Sequence, residues 1–210
     1  MEEHLHPLPG KRRLSFLGVV LAGGHSTRMG EDKSGLMIDG HQLWEHQARL
    51  LEAVGADAVV VSGRKEGPWW GGRYRAVTDG CGRIGPIGGI FSVMQELQPA
   101  RIMVLAVDMP RMSAGFLLRL LDRASECGVG VVPRVDGHWE PLAAVYPQCL
   151  LPLLREHIEA SNFELQKLVD EGIRRRLLVA LECPEQEARS WFLNVNTRRD
   201  WQNYIQKSQN

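Results

Sequence analysis

Three runs in this chain, "FLGVVLA" (16–22), "DAVVVS" (57–62) and "ARIMVLAVD" (100–108), are apolar on consecutive rather than alternate positions. Each is too short for a buried helix, and two are rich in β-branched residues, so they predict strands. A strand can carry apolar side chains on both faces only where both faces are covered, as they are inside a parallel sheet. Helical patterns lie between the runs. Residues 42–54 place Leu43, His46, Leu50 and Val54 on one helical face, and "IGGIFSVMQEL" (87–97), opened by "GPIGG", predicts a second helix. "RYRAVTD" (73–79) and "GVGVVPRV" (128–135) predict further strands, and Ser113 is placed to cap a helix through Leu121. This β-α-β alternation predicts an α/β fold, a three-layer αβα sandwich on a mostly parallel, Rossmann-like sheet. The later pattern is less regular. "HWEPLAAVYP" (138–147), "RRRLLVAL" (174–181) and "SWFLNVN" (190–196) predict strands, and 148–158, 163–172 and 198–207 predict helices. With 210 residues and neither repeat nor linker, the expected organisation is one domain over 15–207 behind a tail at 1–14.

Charge narrows the function. Lys plus Arg and Asp plus Glu both number 25, so the formal net charge is zero and no nucleic-acid partner is expected. Any anion site must be local. Cys81, Cys127, Cys149 and Cys183 form no C-x-x-C pair, so they read as reduced thiols of a cytoplasmic protein and not as metal ligands. "KRRLSFLGVVLAGG" has the basic start, apolar run and small residues of an export signal, with paired Arg12 and Arg13. The apolar run serves equally as a first buried strand, and that is the reading adopted. No stretch approaches the roughly 20 apolar residues of a membrane span.

The first strand runs into "LAGGHSTRMGEDK" (21–33). Gly23, Gly24 and Gly30 offer bare backbone whose N–H groups can turn toward an anion. Arg28 can grip phosphate with two parallel hydrogen bonds, and Lys33 supplies a movable point charge. The loop is neither of two familiar phosphate-binding patterns: Glu31, not lysine, follows Gly30, and G-x-G-x-x-G is missing. At the end of the third run stands Asp108, a carboxylate on a strand of Ile, Met, Val, Leu and Ala. In open parallel sheets ligands bind beyond the carboxyl ends of strands, which puts Asp108 and the cationic loop on one rim. A carboxylate there can hold Mg²⁺, which prefers oxygen ligands and substrate phosphates.

The loop matches L-A-G-G-x-S-x-R-M-G-x-D-K throughout, and in that it resembles the molybdenum cofactor guanylyltransferases of the wider nucleotidyltransferase family. "VTD" ending at Asp79, "GPIGGI" (85–90), "VDMP" (107–110) and "NVNT" (194–197) follow in that family's order and spacing. The chain departs from the pattern at Ser62, where the family often has Asn, and in "GPIGG" for the commoner G-P-L-A-G. Residues 148–190 resemble the family only loosely.

The resemblance implies transfer of GMP from GTP to the terminal phosphate of molybdopterin, with Mg²⁺ as cofactor and pyrophosphate as the second product. Carried over by position, Leu21, Ala22, Gly23, Gly24, Lys33, Ser62, Asp79 and Asp108 form the nucleotide site. Arg28, Lys33 and Asp108 are the catalytic set, Asp108 is the metal ligand, and Asn194 and Asn196 lie on the pterin side. Other cofactor-biosynthesis proteins and acceptor apo-enzymes are the further partners this implies. The nucleophile is an anionic phosphate oxygen that needs no general base, so positioning and electrostatics carry the rate. Two alternatives stay open: a cytidylyltransferase using CTP, which usually has L-A-A-G in the loop, and a non-catalytic molybdopterin-binding or loading protein.

Overall fold

The computed structural model describes residues 14–23, 35–38, 40–82, 84–193, 195, 199–202 and 204. Its centre is β1 (Leu17–Leu21), paired in parallel with β4 (Ala58–Gly63) on one side and β6 (Arg101–Ala106) on the other. These are the three runs whose apolar character is continuous, and they occupy the positions covered on both faces. Alternate residues divide between two cores. Val20, Val59, Val61, Met103 and Leu105 face one, and Val19, Leu21, Val60, Ile102 and Val104 face the other.

The sheet continues outward through β5 (Arg75–Thr78), parallel to β4, and through β9 (Ala143–Pro147), β7 (Gly130–Val135) and β10 (Leu178–Glu182). Its order is β10-β7-β9-β6-β1-β4-β5, with β8 (His138–Trp139) hairpinned onto β7. β9 runs antiparallel to both β6 and β7; the other neighbours on the path are parallel. Helices α1 (Leu43–Ala53) and α3 (Ala114–Cys127) cover one face. Helices α2 (Pro86–Leu97), α4 (Leu151–Glu159) and α5 (Leu165–Arg174) cover the other. The expected three-layer α/β architecture is therefore present. Ser113 caps α3 as expected, its Oγ accepting the Phe116 N–H at 3.2 Å.

Several elements differ from expectation. The buried face of α1 is Leu43, Trp44, Gln47, Ala48 and Leu51, with His46 and Leu50 only partly buried. A glutamine at the centre of that face broke the apolar pattern and turned the reading by part of a turn. The described residues of 190–196 form no strand: α6 (Glu185–Trp191) ends there. Pro184 at its start and Glu185 and Glu187 in its first turn favour a helix N-terminus. Trp191 stacks on Phe116 at 4.6 Å between ring centroids, and Phe192 meets Phe116 edge-on at 5.3 Å, so the apolar residues of this stretch pack on α3. The 174–181 strand begins only at Leu178, since α5 runs through Arg174. A two-stranded hairpin of β2 (Met37–Ile38) and β3 (His41–Gln42), which precedes α1, was not foreseen.

Candidate functional site

The order of the sheet reverses beside β1. From β1 the chain moves outward to β4 and β5, then returns to lay β6 on the opposite side of β1. The carboxyl ends of β1 and β6 therefore stand side by side where the order reverses, the position where such sheets bind ligands in a crevice. Leu21, Ala22 and Gly23 form one lip. Val107 and Asp108 form the other, joined to the first by the Val107 N–H, which donates to the Leu21 carbonyl at 3.1 Å.

The lip at Gly23 rests on β4. The Ala22 N–H donates to the Ser62 carbonyl at 2.8 Å, and the Cα of Gly63 lies 3.7 Å from where a Gly23 Cβ would sit. Gly63 is bare for a different reason: a Cβ there would stand 2.3 Å from the ring of Trp69, which is completely buried. Trp69 is thus a packing residue, and its neighbour Trp70 is half exposed.

Asp79 follows β5 on the same rim, against the first turn of α2. Gly85 precedes that helix with φ +83°, and Pro86 opens it. Gly88 and Gly89 let it close onto the strand ends, since Cβ atoms there would lie 2.6 Å from Asp79 Oδ1 and 2.7 Å from Ser62 Oγ. The Asp79 carboxylate thus sits where a helix N-terminus favours negative charge. Its Oδ1 accepts the Cys81 N–H at 3.0 Å, and Ser92 Oγ accepts the Gly80 N–H at 3.1 Å, which pins the loop. Burial raises the Asp79 pKa above the ordinary carboxylate value, against the smaller lowering effect of the Cys81 amide.

On the far side of Asp108 the rim is completed by the start of β9. Leu105 is paired with Ala143, and the Ala106 N–H donates to the Leu142 carbonyl at 2.8 Å. The turn before β9 carries Glu140, a partly buried carboxyl whose pKa is raised by burial. Sequence reasoning named Glu140 only beside Trp139, as a candidate to face the pterin, and nothing in its spacing marks it as buried. Trp139 is tied to α5: its Nε1–H donates to Asp170 Oδ1 at 2.7 Å, and its backbone exchanges hydrogen bonds with the Gln166 side chain.

Leu21, Ala22, Gly23, Ser62, Asp79 and Asp108 are therefore together along one rim. Gly24, Arg28, Lys33, Asn194 and Asn196 lie outside the described residues. Val195, between the two asparagines in sequence, donates its N–H to the Asp108 carbonyl at 2.9 Å. The oxygen chemistry of Asp108 fits Mg²⁺, which takes one or two carboxylates and completes its shell with substrate phosphates and water. Among the described residues no three His, Cys, Asp or Glu side chains converge on one point. No described helix is long and apolar enough to cross a membrane.

Residues 18–178 match the MobA-like NTP transferase domain family. A probable molybdenum cofactor guanylyltransferase of Opitutus terrae is 35% identical, over 82% of this chain and 87% of its own length. A molybdenum cofactor guanylyltransferase of Xanthomonas euvesicatoria is 32% identical, over 92% of this chain and 96% of its own. Among solved structures, molybdopterin-guanine dinucleotide biosynthesis protein A of Archaeoglobus fulgidus superposes with a TM-score of 0.72 at 23% identity, covering 92% of this chain and 99% of that one. A CMP:2-keto-3-deoxy-manno-octonic acid synthetase complexed with CTP gives 0.70 at 13% identity, over 93% and 99%, and so shares the fold.

Proposed function

Since the chain belongs to the MobA-like NTP transferase family, we propose that it transfers GMP from GTP to the terminal phosphate of molybdopterin, giving molybdopterin guanine dinucleotide and pyrophosphate. The observation that carries this reading is the hydrogen bond that joins Val107, next to Asp108, to Leu21 where the sheet order reverses, in a chain whose relatives are named guanylyltransferases. The reading treats 15–207 as one nucleotidyltransferase domain working in the cytoplasm.

In this scheme the guanine base lies over Leu21, Ala22 and Gly23, where backbone groups can read its edge and a missing Cβ leaves room. Asp79 and Ser62, packed under α2, bound the nucleotide on the β4–β5 side. Arg28, Lys33 and the glycine-loop amides hold the β- and γ-phosphates. Asn194 and Asn196 hold the pterin side. Asp108 is the protein ligand to Mg²⁺. When bound with the nucleotide, Mg²⁺ supplies positive charge to the α-phosphoryl group and the departing pyrophosphate. The acceptor oxygen is anionic at neutral pH, so the residues work by orienting two anions in line and offsetting their repulsion; no side chain need take a proton.

The test is pyrophosphate release with molybdopterin as acceptor and GTP, CTP, ATP or UTP as donor. GTP should be preferred, and Asp108→Asn should keep the fold while lowering kcat by on the order of 10²–10³. A preference for CTP would turn the assignment to a cytidylyltransferase, and no turnover with any donor would turn it to a binding protein.

A further inference from the structure

Gln47 lies in the middle of α1 and is completely buried, with Leu43, Trp44, Ala48 and Leu51 on the same face. An apolar residue would fill that position without cost, whereas a buried amide must find partners. Gln47 finds half of them. Its Nε2–H donates to the Met109 carbonyl at 2.7 Å, and its Oε1 has no partner among the described residues. The amide cannot be turned to share the burden, because Oε1 would then face a carbonyl oxygen. Nor does the Met109 carbonyl depend on the glutamine, since it already accepts the Met112 N–H at 3.1 Å. A buried polar group is thus kept at a cost to stability, for a bond its partner does not require.

The bond falls on the peptide that leaves Asp108. Three consecutive residues there are tied to three different parts of the fold. The Val107 N–H is bound to Leu21 in β1, the Asp108 carbonyl to the Val195 N–H, and the Met109 carbonyl to Gln47 in α1. The main chain on either side of the Asp108 Cα is therefore fixed, and the direction of its side chain depends on that backbone. Of the three ties, only the one from Gln47 is made by a side chain, so it alone can be removed by substitution without altering a backbone.

We propose that Gln47 is a positioning residue for Asp108, holding the 108–109 peptide so that the carboxylate faces the crevice in the geometry a divalent cation needs. This rests on the reading of Asp108 as the metal ligand. Partners that orient a ligand without touching the metal commonly change metal affinity or activity 10–100-fold when lost. The same argument explains why an amide stands where the core would accept leucine.

The experiment compares the full-length chain with Gln47→Met, Gln47→Leu and Asp108→Asn. It measures Mn²⁺ binding by electron paramagnetic resonance in the presence of α,β-methylene GTP, the thermal midpoint, and kcat and KM for GTP. Gln47→Met keeps the volume and removes the unpartnered Oε1, so its Tm should stay within about 3 °C of the parent. Mn²⁺ affinity and kcat should each fall about tenfold, with KM for GTP unchanged. If Asp108→Asn abolishes Mn²⁺ binding while both Gln47 variants bind it normally, Gln47 does not position the ligand. If neither Gln47 variant folds, the glutamine serves stability and the proposal is equally overturned. If Asp108→Asn leaves Mn²⁺ binding intact, the reading of Asp108 itself fails, and this inference with it.

Discussion

Gly23 and Gly63 are neighbours in space, yet they are bare for opposite reasons, and substitution separates them. Among the described residues, a methyl at Gly23 meets no atom nearer than the Gly63 Cα at 3.7 Å, an ordinary contact. Gly23→Ala should therefore leave stability unchanged, and any effect on nucleotide choice must arise from the ligand. If guanine lies over this position, the methyl crowds it more than the smaller cytosine. The ratio of kcat/KM for GTP to that for CTP should fall by an amount worth roughly 1–3 kcal/mol, loosening the preference without inverting it. An unchanged ratio would place the base elsewhere. Gly63→Ala drives its methyl to 2.3 Å from the Trp69 ring and should lower stability by about 1–3 kcal/mol in urea unfolding. Asp108 could be found in the sequence because a carboxylate at the end of an apolar run stands out, whereas Asp79 entered only through the VTD motif of the family resemblance. Gln47 could not. One polar residue among apolar neighbours reads as the exposed edge of a helix, and its value lies in a bond to a residue 62 positions away.

Among the elements, the β7–β8 hairpin shows a local signal that sequence reasoning left unused. Asp136 and Gly137, at φ +46° and +81°, form the two-residue turn that Asp-Gly commonly makes, pairing Val135 with His138 and Arg134 with Trp139. Reading 138–147 as one strand missed the break after Trp139, which a turn at Glu140–Ala143 produces. The hairpin is fastened to α5 through the Trp139 indole, whose N–H reaches Asp170, while the Arg134 guanidinium lies over the ring at 5.0 Å. Trp139→Phe keeps most of the apolar contact and loses the hydrogen bond. It should cost about 1–2 kcal/mol in urea unfolding, with kcat unchanged because the indole N–H is committed to α5. A loss of turnover without a loss of stability would mean that the indole takes part in the site. The misread 190–196 segment has the opposite origin. Its apolar alternation is real, but α3 supplies the surface it packs on, and that surface lies far away in sequence.

For the whole molecule, the site leaves its mark on the response to pH. Asp79 and Glu140 are both raised by burial, so folding favours their protonated forms. Their ionised forms cost the folded chain stability near neutrality. That cost is relieved as pH falls through their folded pKa values and is gone below the unfolded value of about 4. Glu45 and Glu156 act in reverse: lowered chiefly by hydrogen bonds from Arg49 and Arg175, they stabilise above the unfolded value and lose that contribution only at lower pH. Glu156 is exposed and Glu45 partly so, and solvent screening at the surface keeps their effect small. The Tm of the ligand-free protein should therefore rise on mild acidification from neutrality, and the double variant Asp79→Asn, Glu140→Gln should flatten that rise. A rise of equal size in the double variant would show that other groups cause it. At this scale the layered architecture could be read from the three apolar runs. The reversed direction of β9 could not, because strand direction leaves no trace in apolar periodicity. The three ties on residues 107–109 also bear on the order in which the protein is made. A ribosome delivers β1, α1 and β6 well before Val195, so the sheet can assemble on the nascent chain while the Asp108 carbonyl still lacks one of its ties. The turn after Asp108 thus receives this tie only when the chain around Val195 has emerged.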